Sequence, residues 1–195
     1  DLKYHSIPKL YTTVDSSSFD SSGISAALSQ PFLDVKGRGI VIGIIDTGID
    51  YTNSVFKENP VSTRIGTLWD QSAWENQTVD GPAFFGKVYT RETINKALAA
   101  FEEGEDYRTI VPEVDETGHG TFVAGIAAAA APESELAVVK LKPAKKYLKN
   151  FFLVDDKNDV YEETDMMLGV RFLLDYATKN NKPLVILVSL CTGSG

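Results

Sequence analysis

Cysteine and histidine are scarce in this sequence. Of 195 residues, one is cysteine, Cys191, and two are histidine, His5 and His119. A single cysteine cannot close an internal disulfide, so no disulfide framework supports the fold. The spacing of a His-Glu-x-x-His helix is absent, which argues against a zinc site. Positive charge is also short. Lys and Arg number 19 against 27 Asp and Glu, a formal net charge of -8. Phosphate binding needs a basic surface, so a nucleic-acid partner is not expected. No apolar run approaches the roughly 20 residues that a membrane span requires. No internal repeat is present, and the start, Asp1-Leu2-Lys3, carries neither Met nor a signal-peptide pattern. From that start we expect a processed or trimmed product.

What is present is ordinary for a globular domain: 43% of residues are apolar and 24% charged. The length suffices for one domain with a real core. Residues 1–22, rich in Ser and Thr, read as an extended arm. Residues 23–30 could form one short helix that Pro31 ends. Residues 40–46, Ile-Val-Ile-Gly-Ile-Ile-Asp, form a short β-branched run of the kind buried on both faces of a parallel sheet. Residues 50–90 hold many turn formers and the aromatics Trp69, Trp74, Phe84 and Phe85; the Trp69 and Trp74 region reads as packing for an insertion or, alternatively, as a wall of the substrate cleft. Thr90 is placed to cap a helix over 91–103, with Ile94, Ala97, Leu98 and Phe101 as its apolar stripe and Gly104 as its stop.

A second helix is expected over 118–131, ended by Pro132, and a second buried strand over 136–141. Lys140 to Lys149 read as a solvated face, and Phe151-Phe152 as a loop tip or a partner contact. Thr164 is the expected cap of a third helix, with Asp165 in its first turn and Met166, Val170, Leu173, Leu174 and Ala177 inward. Residues 184–190 read as a third buried strand. Strand and helix thus alternate, which predicts an α/β fold with a parallel sheet flanked by helices.

In such sheets sites gather at the carboxyl ends of strands. Asp46 lies at one such end and Ser189 to Cys191 at another, while His119 opens a helix whose N-terminus can face the same rim. A carboxylate bonded to one imidazole nitrogen fixes the tautomer, leaves the other nitrogen as a base and stabilises the imidazolium. That base can activate a hydroxyl that is otherwise a poor nucleophile. The helix N-terminus disfavours premature protonation, and Gly118 and Gly120 keep bulk away from the ring.

Ile-Ile-Asp46-Thr-Gly-Ile-Asp followed by Gly-His119-Gly-Thr-Phe-Val-Ala-Gly resembles the subtilisin-like serine proteases. Residues 64–71, 111–119, 132–142 and 165–171 are similar to the clostridial Csp-type branch, which contains both active proteases and inactive pseudoproteases. The resemblance runs from about residue 20 to 195 and marks 47–118 as holding a family-specific insertion. It implies Asp46 and His119 as triad members acting on polypeptide substrates. It also implies Ser189, Leu190 and Cys191 as the border of the substrate pocket, on a strand that pairs with the substrate backbone. Cys191 stands where the family usually has Gly.

No Gly-Thr-Ser-Met-Ala-like motif occurs in the chain, and Ser194 has no helix after it. We therefore expect an α/β domain that is incomplete in this chain, with the serine on a downstream segment or second chain. The alternative is a pseudoprotease that binds a partner in the old cleft. Family habit implies a bacterial protein, secreted or of the cell envelope. Calcium is common in the family, but no site is assigned here. Asp-Thr-Gly also occurs in pepsin-like proteases, whose second matching aspartate motif is absent. The longer string Ile-Gly-Ile-Ile-Asp-Thr-Gly resembles the first phosphate loop of actin-like sugar kinases, which would be followed by a β-hairpin where this chain has polar loop. Cys191 could be a small buried side chain or a papain-type nucleophile, though the latter would open a helix.

Overall fold

The computed structural model describes residues 9–13, 36–73 and 85–191. Strand β1 is Leu10–Thr13 and β2 is Val41–Asp46. A small hairpin, β3 (Lys57–Asn59) and β4 (Ser62–Thr63), leads into β5 (Ile65–Asp70) and β6 (Lys87–Thr90). Helix α1 is Arg91–Glu102, α2 is His119–Ala130, and β7 (Glu135–Lys140) lies between α2 and the short α3 (Lys146–Phe151). Strand β8 (Tyr161–Glu162), helix α4 (Glu163–Lys179), β9 (Leu184–Val188) and β10 (Leu190–Cys191) complete the described chain.

The main sheet has the order β6-β5-β7-β2-β9. β5, β7, β2 and β9 run parallel, and β6 is antiparallel to β5. This is the expected α/β layering, with one antiparallel strand added at an edge. Successive side chains of a strand point to opposite faces, and the core divides accordingly. Ile42 and Ile44 join Leu136, Val138, Ala97, Leu98, Ala124 and Ala128 beneath α1 and α2. Val41 and Ile45 join Ala137, Val139, Phe172 and Leu173 beneath α4. Each fully buried Val, Leu or Ile among them stabilises the fold by roughly 1.5–3 kcal/mol relative to exposure.

Several sequence expectations hold. Thr90 caps α1 by accepting from Thr93 N, and Gly104, at φ 76°, lies just past its end. Helix α2 and strand β7 lie where expected. Trp69 is completely buried, donates from Nε1 to Phe85 O at 2.9 Å, and packs against Phe85 and Phe172.

Others need correction. Residues 65–70 are a central strand of the sheet, not part of a polar loop. Phe101 is 40% exposed, because the α1 stripe turns Ala100 inward instead and leaves Phe101 edge-on to Tyr107. Thr164 does not cap α4. The helix starts at Glu163 straight after β8, and the Glu162 side chain accepts from Lys145 N. The α4 face is rotated: Gly169 and Phe172 are buried and Leu174 is 48% exposed.

The lysines are not one solvated face. Lys140 bonds Val114 O, Lys142 pairs with Asp165, and Lys149 donates to the carbonyls of Asp156 and Asn158. Strand β9 is not buried, since among the described residues only β2 pairs with it, and Val185 is 58% exposed. Phe151 and Phe152 are exposed and meet edge to face. Residues 23–30, Trp74, Phe84 and Ser194 lie outside the described residues.

Candidate active site

Asp46 is the last residue of β2, at its carboxyl end and 1% exposed. His119 is the first residue of α2. The two side chains meet: Asp46 Oδ1 lies 2.7 Å from His119 Nδ1 and accepts a second bond, also 2.7 Å, from Thr47 N. With Asp46 ionised, Nδ1 carries the proton, and Nε2 is left as the basic nitrogen. Burial pushes the Asp46 carboxyl above its ordinary range, while the bonds from His119 and Thr47 pull it back. Asp46 Oδ2 is buried and has no hydrogen-bond partner among the described residues.

The histidine is aimed by how α2 begins. Gly118 precedes the helix at φ 75°, a backbone state that favours glycine, and it has no side chain to cap the helix. Three neighbours supply the cap. His119 N donates to Thr117 Oγ1, Gly120 N to Thr47 Oγ1, and Thr121 N to Asp115 Oδ2. Phe122 N then starts the helical ladder on Gly118 O. Asp115 also accepts from Thr47 Oγ1 at 2.7 Å, from Thr121 Oγ1 at 2.7 Å and from Gly118 N at 3.1 Å. Burial pushes its pKa up, but these bonds outweigh burial and hold it below the usual carboxylate range.

The loop after Asp46 is pinned from below. Glu113 Oε1 accepts from Ile49 N at 3.1 Å, and Tyr51 donates to Val111 O. Burial pushes Glu113 up to about 8, against the pull of Lys140 at 3.9 Å. A Cβ at Gly48 would overlap Glu113 Oε1, and one at Gly120 would overlap the Gly48 carbonyl oxygen. Loop and helix end therefore touch backbone to backbone. None of Thr47, Glu113, Asp115, Thr117 and Thr121 was singled out from the sequence. Asp115 carried no capping signal, since it lies three residues before the N-cap Gly118 and reaches the helix amide of Thr121 only through the fold of the loop.

The third expected segment forms an edge. β2 and β9 pair up to Ile45 and Val188, so Ser189 follows one step beyond, level with Asp46 in register. Ser189 is half-buried, and Leu190 and Cys191 leave the main sheet. They pair antiparallel with β1, as Thr13↔Leu190 and Thr12↔Cys191. The other side of β1 pairs antiparallel with β8, Leu10↔Glu162 and Tyr11↔Tyr161. Cys191 is exposed, not a buried packing residue. No group of three or more His, Cys, Asp or Glu among the described residues could hold a metal ion. No helix among them is long and apolar enough to cross a membrane.

No match was found among curated proteins. Among solved structures, the chain is similar to the Clostridium perfringens CspB protease, at 35% identity and a TM-score of 0.65 over 88% of this chain. It spans 32% of that protein's chain. Residues 37–186 match the Subtilase family, a stretch that holds β2, α2 and the Asp46–His119 contact, and the chain therefore belongs to that family.

Proposed function

We propose that this chain is the first part of the catalytic domain of a serine endopeptidase. The observation that carries the reading is the 2.7 Å contact between Asp46 and His119, on the motif residues that resemble the family's. In this reading His119 Nε2 takes the proton of a serine hydroxyl as its oxygen attacks the peptide carbonyl carbon. Asp46 holds the ring and stabilises the imidazolium. The proton then passes to the leaving amine as the C–N bond breaks. Water hydrolyses the acyl-enzyme by the same route in reverse.

The serine comes from a segment that follows the third strand and lies outside these 195 residues. Two apolar surfaces support a further segment or second chain packed on this one. One is the exposed outer edge of β9. The other is a mostly apolar groove of about 800 Å³ along α2, lined by Phe122, Ile126 and Ala129 with Asp50, Asn53 and Asp115 toward the helix start. Ser189, Leu190 and Cys191 border the slot for a polypeptide substrate. The antiparallel pairing of the chain's own β1 with Leu190 and Cys191 supports that role, since a substrate backbone would add a strand in the same manner. The likeness to a clostridial protein supports a bacterial source and, with the family's habit, export to the cell surface or beyond.

The test is a serine-directed fluorophosphonate applied to the intact protein, with His119→Ala as control. Labelling of the parent and its loss in the variant is the expected result. A folded intact protein that takes no label would sink the reading and leave a pseudoprotease that binds a partner in the cleft.

A further inference from the structure

We propose that Asp115 is a positioning residue that sets the Asp46–His119 distance by clamping the two segments that carry them. The inference rests on that pair acting as described above. Asp46 sits on the end of a strand and His119 on the start of a helix, so their contact depends on how these two backbones are locked together. Asp115 belongs to neither element. Its carboxylate nevertheless takes the Thr47 hydroxyl, one residue past Asp46, and the Gly118 and Thr121 amides on either side of His119. The Thr121 hydroxyl is a further donor to the second oxygen. Thr47 completes the link by accepting from Gly120 N at 2.9 Å. A displacement of either segment would therefore strain bonds at Asp115 together with the Thr47–Gly120 link.

The charge state matters as well as the shape. Both oxygens face donors: Thr47 Oγ1 and Gly118 N on one, Thr121 N and Oγ1 on the other. An asparagine is the same size but presents an NH₂ on one side. Whichever way it is turned, that group meets an N–H or O–H that is seeking an acceptor. Asp115→Asn should therefore loosen the clamp without creating a cavity. A shift of about 1 Å in a catalytic group costs on the order of 100-fold in rate.

The experiment compares the intact parent protein with Asp115→Asn, Thr47→Val and Thr47→Ser. Two quantities are read on samples of parent-like circular dichroism. One is the downfield proton resonance of His119 Nδ1–H, identified by its loss in His119→Gln. The other is kcat and KM on a peptide substrate. Asp115→Asn and Thr47→Val should move or abolish the resonance and lower kcat by on the order of 100-fold, with KM little changed. Thr47→Ser keeps the hydroxyl and should retain both. A folded Asp115→Asn with the parent's resonance and kcat overturns the proposal. If Asp115→Asn does not fold, the Thr47 pair decides, and equal behaviour of its Val and Ser variants overturns it. If the parent hydrolyses nothing, the protease reading fails, and the resonance alone still decides the role of Asp115.

Discussion

Strands β2 and β9 lie side by side and pair residue for residue, Ile42 with Val185 and Ile44 with Leu187. Both are short runs of Val, Ile and Leu. Yet every residue of β2 is buried, while Val185 is 58% and Val188 37% exposed in β9. The continuation of the two strands differs in the same sense. Past β2, Thr47 and Asp115 tie the loop to α2 through several hydrogen bonds. Past β9, Leu190 and Cys191 pair with the chain's own β1, and Leu190 packs at the rim of the core. One half of the site is complete within these residues and the other half is an open border. Composition did not separate the two strands; the presence of β7 on the far side of β2 did.

The sharpest way to break the comparison is at the closed half. His119→Ala in the intact protein should lower kcat by about 10⁴-fold or more, with the fold retained, as expected for loss of the base. Activity-based labelling against circular dichroism checks it. Next in size, Ile44→Ala should destabilise by about 2–5 kcal/mol, since it empties a site packed on both sides. Chemical denaturation reads that change.

A pH effect follows from Glu113. Its folded-state value of about 8 lies above its ordinary 4.5, so the folded protein holds that proton longer than the unfolded chain. The stability this provides is complete below pH 4.5 and is lost as pH rises toward 8. Glu113→Gln should flatten that slope, an effect of up to a few kcal/mol, seen as a smaller difference between urea midpoints at pH 5 and pH 8. The smallest effect belongs to the open half. Val185→Lys in the 195-residue chain alone should change stability by less than about 0.5 kcal/mol. It should also reduce self-association in sedimentation, because charge on an edge strand opposes pairing. A large loss of stability there would mean that β9 is not the free border described.

Much of the closed half was legible because its signals are local. The run ending at Asp46, the glycines around His119 and the cap at Thr90 each depend on a few adjacent residues. What escaped depends on distant partners. Strand β5 contains Gly66 and Thr67, which break its apolar run, and its burial comes from β6 and β7 on either side. Lys140, Lys142 and Lys149 look like surface charges until Val114, Asp165 and the 156–158 turn are brought to them. Asp115 reads as one acid among many until Thr47, more than sixty positions earlier, lies against it. Thr164 failed for a different reason. The chain passes from β8 into α4 without a loop, so the helix began one residue before the hydroxyl that was expected to cap it.

The backbone contact between Gly48 and Gly120 has a consequence for how this protein can change over time. Neither position has room for a single methyl group: one is closed by Glu113 and the other by the Gly48 carbonyl. A side chain at Gly120 would push the helix start off the loop that follows Asp46, and one at Gly48 would push that loop off Glu113 and Asp115. Each position is therefore closed to larger residues by its own neighbours.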